Sequence, residues 1–114
     1  MTNCLFCKII NNEIPAPRVY EDEIAIVIRD LNPQAPTHLL AIPRAHYEGV
    51  HEVPAEEGAL FQGLFNAVTK AIDKEQLAGA GYRLVVNSGE KAGQSVPHIH
   101  VHILSGRQLH WPPG

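Results

Sequence analysis

Three histidines alternate with aliphatic residues in the segment His98-Ile99-His100-Val101-His102-Ile103-Leu104. In a β-strand, successive side chains point to opposite faces of the sheet. We therefore predict a strand over residues 98–104 whose three imidazoles share one face, while the aliphatic side chains between them share the other. Because histidine is the side chain that gains or loses a proton near neutral pH, this row indicates a site for chemistry.

The composition is ordinary for a soluble globular protein and argues against two classes of partner. Apolar residues make up 45 % of the 114 residues and charged residues 18 %, so we predict a single domain over residues 1–114. The net charge of −3, without a basic patch, predicts no nucleic-acid binding. No apolar run reaches the length of a membrane span and no secretory signal is evident, so we expect no membrane association and a cytoplasmic location.

The remaining pattern predicts an α+β fold with a five-stranded, mainly antiparallel sheet, because most links between strands are too short for parallel crossovers. A short helical turn is expected around residues 6–10, and one long helix over residues 54–77, with Pro54 in its first turn. The apolar stripe of that helix is expected to pack in the core; it comprises Leu60, Phe61, Leu64, Phe65, Val68 and Ile72. The predicted strands are residues 18–21, 24–29, 38–43, 82–87 and 98–104.

The histidine row admits three interpretations. It could be the polar face of a half-buried strand, although three alternating histidines are unusual there. Two imidazoles at positions i and i+2 could instead bind zinc or copper. The third interpretation is catalysis, since an imidazole nitrogen attacks phosphorus or carbonyl carbon while a second imidazole orients or protonates. The preceding Gly93-Gln94-Ser95 supplies backbone amides and neutral donors, which suit a phosphate better than a metal.

The two cysteines, in Cys4-Leu5-Phe6-Cys7, have the spacing of metal ligands. A redox pair with this spacing needs a thioredoxin-like βαβ context, which the start of this chain does not offer. A structural disulfide is not expected in the cytoplasm. A zinc site needs two further ligands, which the spacing does not identify.

The triad and several other segments resemble the histidine-triad (HIT) superfamily, and within it the Hint branch of nucleoside phosphoramidate hydrolases. The resemblance implies a HIT-like fold in which a five-stranded sheet carries one long helix and a short N-terminal helix. It also implies a homodimer whose two sheets form one continuous ten-stranded sheet. The resembling segments, besides the triad, are Glu13-Ile14-Pro15, Asn32-Pro33-Gln34-Ala35-Pro36-Thr37-His38, Gly81-Tyr82-Arg83, Gly93-Gln94-Ser95-Val96 and His110-Trp111-Pro112-Pro113-Gly114.

The resemblance implies a catalytic set that needs no cofactor. His100 corresponds to the family's nucleophile, which attacks the phosphorus of a purine nucleoside phosphoramidate and forms a covalent nucleotidyl-histidine. Cleavage of the P–N bond of an adenosine 5′-phosphoramidate then yields AMP and an amine. His102 and His38 correspond to histidines that contact the phosphate, and Ser95 to a serine on the leaving-group side.

The resemblance also implies a nucleotide site. Asp30 corresponds to a carboxylate that accepts hydrogen bonds from the ribose hydroxyls, although an aspartate before a loop is more often a turn residue. Trp111 lies on a tail that in the family reaches the partner's active site. Asn87 and the backbone of Gly93, Gln94, Ser95 and Val96 correspond to phosphate and ribose contacts. The expected slot for the base, for which core packing is the rival interpretation, comprises Phe6, Ile9, Ile28, Leu31 and Leu40.

Several branches of the family bind structural zinc through residues that correspond to Cys4, Cys7, His46 and His98. Such a closed set of two cysteines and two histidines would be tetrahedral and structural. Three further functions stay open: a nucleotide-binding regulatory protein with little turnover, a metal-binding module, and a dinucleoside polyphosphate hydrolase of the Fhit type. The Trp-Pro-Pro-Gly ending favours Hint over the last of these.

Overall fold

The computed structural model describes residues 3–114, which form one antiparallel sheet between two helices of unequal length. The sheet order is β1-β2-β3-β5-β4, and each neighbouring pair is antiparallel. The predicted α+β class and five-stranded sheet are therefore confirmed. In chain order the elements are α1 (Leu5–Ile10), β1 (Arg18–Glu21), β2 (Ala25–Arg29), β3 (Thr37–Pro43), α2 (Gly58–Lys74), β4 (Arg83–Val85) and β5 (Val101–Ser105).

The two faces of the sheet carry separate cores, because side chains alternate along each strand. Leu39 and Ile103 face α2 and are fully buried beside Leu64. Leu40, the next residue of β3, belongs to the other core, in which Phe6 of α1 packs on the sheet. The side of the sheet that carries α1 is also the side that carries the histidines.

The strand predicted over residues 98–104 begins three residues later, at Val101. The β3–β5 register pairs Ala41 with Val101, and continuing it would place Pro43 opposite Ile99. Proline has no N–H to donate to such a ladder. The Ile99 N–H instead donates to the carbonyl of Tyr47 at 2.8 Å. The alternation itself is correct, since Ile99 lies in the core beneath α2.

The long helix is shorter than predicted at both ends. Pro54 has extended backbone angles (φ −61°, ψ 146°) and precedes a 3₁₀ turn, Ala55–Glu57, so α2 begins only at Gly58. After Lys74 the chain turns at Gln76, whose φ is +56°, and helical geometry ends. The predicted fourth strand, residues 82–87, is likewise reduced to Arg83–Val85.

Two members of the predicted apolar stripe, Phe61 and Phe65, lie outside the core, and Phe61 is only partly buried. Phe65 is 45 % exposed, whereas Leu64 and Val68 are buried. The buried stripe of α2 runs through Leu60, Leu64, Ala67, Val68 and Ala71, a spacing of three and four residues that leaves position 65 on its flank. Among residues 3–114, no helix has the length and apolar character needed to cross a membrane.

Candidate active site and metal centre

A cavity of about 160 Å³ opens between α1 and the sheet, on the face that carries the histidines. It brings together both later histidines of the row, the predicted carboxylate and the whole predicted apolar slot. The predicted residues that line it are Phe6, Ile9, Ile28, Asp30, Leu31, Leu40, Ser95, Val96, His100 and His102. His38 adjoins this set through His102.

His100 is buried, and its ring orientation is set by the backbone. Its Nδ1 lies 2.7 Å from the carbonyl oxygen of His98. A carbonyl only accepts, so Nδ1 carries the hydrogen and Nε2 keeps its lone pair. Burial lowers the pKa of His100. The residue is therefore a neutral imidazole that presents an unprotonated nitrogen.

His102 takes the opposite tautomer because of a chain of hydrogen bonds that begins at the backbone. The N–H of Gln34 donates to Nδ1 of His38 at 3.0 Å, so the hydrogen of His38 lies on Nε2. That Nε2 is 2.8 Å from Nδ1 of His102 and donates to it. His102 must then carry its own hydrogen on Nε2. Burial lowers the pKa of His38, and it lowers that of His102 to about 4.

Asp30, His38 and His102 also offer three atoms close enough together to hold a metal ion. The carboxylate Oδ2 of Asp30 lies 3.4 Å from Nε2 of His38. However, the Gln34 N–H fixes the hydrogen of His38 on that same Nε2. For Nε2 to bind a metal, His38 would have to break the hydrogen bond from Gln34 and move its hydrogen to Nδ1, or lose that hydrogen and become an imidazolate. The geometry therefore favours a hydrogen-bonded relay over a metal site.

The loop before the histidine row contributes Ser95 and Val96 to the cavity, and hydrogen bonds of Gln94 hold the loop in shape. Gln94 accepts from the N–H of Gly89 and donates to the carbonyl of Glu48. Gly93 has a φ of +90°, which an L side chain rarely adopts. Asn87 lies beside Gly93. The structure places Asn87, Gly93 and Gln94 outside the cavity lining.

Trp111 does not line the cavity of its own chain. Its side chain is 81 % exposed, and the tail is held through Arg83, which donates to the carbonyl of His110 at 2.9 Å. The expectation that Trp111 contacts nucleotide in a partner subunit stays a prediction.

A second cluster lies at the other end of the histidine row, where Cys4, Cys7, His46 and His98 converge. The Sγ of Cys4 is 3.4 Å from Nδ1 of His98, and the Sγ of Cys7 is 3.4 Å from Nδ1 of His46 and 3.7 Å from that of His98. The two Nδ1 atoms are 3.0 Å apart. A tetrahedral zinc with ordinary bond lengths would separate its ligand atoms by about 3.3–3.8 Å.

The tautomer of His98 suits this cluster. Its Nε2 donates to the carbonyl of Pro43 at 2.7 Å, so the lone pair lies on Nδ1, the atom that faces both sulfurs. Burial lowers the pKa of His98 to about 4 and raises that of the Cys7 thiol. The three sulfur–nitrogen separations lie within the range for zinc, and the separation of the two Nδ1 atoms is shorter. On binding zinc the two thiols would lose their protons, and two thiolates with two neutral imidazoles would leave no open position.

The sequence and the fold match known proteins over nearly the whole chain. The HIT domain family is matched over residues 11–109. The chain belongs to the HIT domain family. It is 47 % identical to an uncharacterized HIT-like protein of Synechococcus elongatus, over 96 % of both chains. It is 48 % identical to a 14 kDa zinc-binding protein of Zea mays, over 96 % of this chain and 87 % of that protein.

The solved structures agree with the fold. The crystal structure of a HIT family hydrolase from Legionella pneumophila superposes with a TM-score of 0.93 at 47 % identity, over 98 % of this chain and all of that one. The predicted HIT-like architecture is thereby confirmed. Leu5 and Arg29 also line the cavity between α1 and the sheet, and neither was predicted from the sequence. Leu5 precedes Phe6 and Arg29 precedes Asp30 in the sequence. Adjacency to a predicted site residue is the only sequence feature that could have indicated them.

Proposed function

We propose that this protein is a purine nucleoside phosphoramidate hydrolase of the Hint type, which converts adenosine 5′-phosphoramidates to AMP and an amine. The observation that carries the proposal is the pair of opposite tautomers in one cavity. His100 presents a lone pair on Nε2, while the relay through His38 leaves His102 with a hydrogen on Nε2. One imidazole can attack phosphorus while its neighbour donates to a phosphate oxygen.

In the first step, Nε2 of His100 attacks the α-phosphorus as the P–N bond to the amine breaks. The electron pair of that bond stays on the amine nitrogen, which gains one proton from solvent as it leaves. The hydroxyl of Ser95, which lines the cavity, can transfer this proton to the amine. The nucleotidyl-imidazolium keeps its Nδ1–H on the His98 carbonyl. Water then attacks phosphorus, His100 departs as the neutral imidazole, and AMP and a proton are released.

The remaining cavity residues bind the nucleotide. The Nε2–H of His102 donates to a non-bridging phosphate oxygen and stabilises the charge that grows there in the transition state. The carboxylate of Asp30, at the rim of the cavity, accepts hydrogen bonds from the ribose hydroxyls. The apolar walls enclose the base by contact area, so we expect little discrimination between adenine and guanine.

The test is turnover of adenosine 5′-phosphoramidate, followed by chromatography of AMP, together with acid quenching and intact-mass measurement of the protein. We expect AMP to form and a nucleotidyl adduct to be trapped on the wild type and not on His100→Ala. His51→Ala, at an exposed histidine outside both clusters, is the matched control and should behave as the wild type. Binding of AMP without any turnover would contradict the proposal and would favour a nucleotide-binding protein instead.

We also propose that the cluster of Cys4, Cys7, His46 and His98 holds zinc. When bound there, zinc would join the first turn of α1 to the sheet and take no part in the reaction. Support comes from the ligand separations and from the Nδ1 lone pair of His98. Elemental analysis should find about one zinc per chain in protein purified without chelator, in keeping with four ligands that define one site. Metal-free protein from that preparation would end this proposal.

We propose in addition that the protein is a homodimer joined along β4. This strand pairs only with β5 among the described strands, and an open edge invites pairing with a second sheet. Tyr82 and Val86, on either side of β4, are 45 % and 40 % exposed. Light scattering should give twice the chain mass, and Val86→Lys should shift the mass toward that of one chain. An unchanged mass in that variant would place the interface elsewhere.

A further inference from the structure

α1 carries parts of both sites. Cys4 caps its N-terminus and Cys7 lies in its first turn, and both sulfurs belong to the metal cluster. Leu5, Phe6 and Ile9 of the same helix line the nucleotide cavity. A displacement of α1 therefore alters both sites at once.

The position of α1 depends on what holds its first turn. The helix has only six residues, and helices shorter than about 12 residues are marginal without tertiary support. Its C-terminal half packs on the sheet through Ile9. In its first turn Phe6 also packs on the sheet, and Cys4 and Cys7 contact His98 and His46. The cysteine contacts are weak when they are thiol hydrogen bonds and strong when the same atoms share a metal ion.

Phe6 lies between the two sites and contacts a histidine of each. Its ring centroid is 6.0 Å from that of His98, with the rings at 76°, and 5.0 Å from that of His100, at 82°. Both are edge-to-face contacts of the kind that aromatic rings prefer. Phe6 is 4 % exposed, so its ring is closely packed, and the two imidazoles are among the groups that hold it. The His98 carbonyl that accepts from His100 Nδ1 adds a second connection.

We propose that Phe6 is a positioning residue through which metal binding in the cysteine–histidine cluster and nucleotide binding in the cavity strengthen each other. Metal at Cys4 and Cys7 fixes the first turn of α1 and therefore the Phe6 wall of the cavity. A nucleotide in the cavity holds Phe6 and, through it, the ring of His98. The inference rests on the proposed nucleotide site and on the proposed zinc site.

The experiment measures this coupling as a binding ratio. AMP affinity is determined by calorimetry for zinc-loaded protein and for protein stripped with chelator, with circular dichroism as the check that the stripped form is folded. We expect the zinc-loaded form to bind AMP about ten-fold more tightly, within the usual range of coupling between sites. Linkage requires that saturating AMP raise zinc affinity by the same factor, which chelator competition measures. Equal AMP affinity in the two folded forms would overturn the proposal.

Two variants separate positioning from simple cavity contact. Phe6→Leu keeps an apolar wall and removes the ring that joins the imidazoles, so the metal-dependent factor should fall to about two or less, well below common coupling factors. Ile9→Val changes the same wall of the cavity without a ring contact to either histidine. It should weaken AMP binding equally in both metal states and leave the factor unchanged. Retention of the full factor in Phe6→Leu would overturn the role of Phe6.

A spectroscopic measurement covers the case in which stripped protein or Phe6→Leu does not fold. Cobalt-loaded wild type is titrated with AMP, and the d–d absorption of the cobalt is recorded, since that spectrum responds to the geometry of its ligands. We expect AMP to shift the spectrum, and an unchanged spectrum at saturation would count against coupling. Failure of the proposed function has a different signature, because AMP would then not bind even to the zinc-loaded wild type.

Discussion

His98 and His100 are two residues apart on one face of the chain, and their backbone partners prepare them for different chemistry. At His98, the carbonyl of Pro43 takes the Nε2 hydrogen and leaves Nδ1 facing two sulfurs. At His100, the carbonyl of His98 takes the Nδ1 hydrogen and leaves Nε2 with the lone pair. In each histidine a single carbonyl determines which imidazole nitrogen keeps its lone pair. The groups that surround this nitrogen determine whether it can bind a metal or attack a substrate.

The two ends of the row also differ in how they are closed. Four ligand atoms from Cys4, Cys7, His46 and His98 would fill the coordination of a metal ion and leave nothing for a substrate. The other end opens into a cavity of about 160 Å³ with a carboxylate at its rim. The cysteine–histidine cluster is therefore suited to a structural metal and the cavity to a ligand. Four experiments test this difference, from the largest expected effect to the smallest.

The largest effect is expected for His100→Ala. Removal of the proposed nucleophile would end the covalent route, so kcat for adenosine phosphoramidate should fall by at least about 10⁴-fold. Zinc content should stay at the wild-type value, because the metal cluster keeps its ligands, whereas the melting temperature should fall because a buried ring is removed. The measurement is steady-state turnover with elemental analysis on the same sample. Loss of zinc in this variant would show that the two ends are not chemically separate.

The separation of the two ends was only partly predictable from the sequence. The alternation of His98, His100 and His102 with aliphatic residues predicted one shared face correctly. The start of β5 was not predictable, because it depends on Pro43 meeting Ile99 across the sheet. The tautomer of His38 depends on the Gln34 N–H, four residues earlier, and the sequence alone does not show which loop conformation brings that N–H to Nδ1.

The candidate sites show the same limit. The spacing of Cys4 and Cys7 indicated ligands, but His46 and His98 could be added only from the family resemblance, since they come from distant parts of the chain. The exposure of Phe65 was missed for a related reason: a three- and four-residue spacing marks the apolar face of α2 without showing how wide a strip the sheet covers.

The next effect in size is expected from loss of the metal. Cys7→Ser, or chelator added to the wild type, should lower the free energy of unfolding by about 3 kcal/mol, the contribution of a ligand present at a few hundred times its dissociation constant. In a chain of 114 residues this corresponds to about 12 °C in melting temperature. Scanning calorimetry with and without zinc checks it. A melting temperature that does not respond to zinc in the wild type would contradict the structural role of the cluster.

His38→Ala tests the relay at the catalytic end. Without His38, the hydrogen of His102 is no longer held on Nε2, and the donor to the phosphate is present only part of the time. We expect kcat to fall about 30-fold, in the range for residues that orient a catalytic group. KM should change little, and the zinc content should not change. His51→Ala, at an exposed histidine outside both clusters, is the control. An equal loss of kcat in both variants would show that the relay does not contribute.

The smallest effect is expected at Asp30, and it is tested with a pair of substrates. The wild type should prefer the adenosine phosphoramidate over its 2′,3′-dideoxy analogue by about ten-fold in kcat/KM, since hydrogen bonds to a charged group contribute about 1.5 kcal/mol or more. Asp30→Asn should reduce that preference to about two- to three-fold. Asp30 also lies 3.4 Å from Nε2 of His38, so the variant will slow both substrates somewhat. The ratio between the substrates isolates the ribose contact, because an effect through His38 is common to both. A ratio that survives the substitution would assign the ribose hydroxyls to another residue and leave Asp30 with the relay alone.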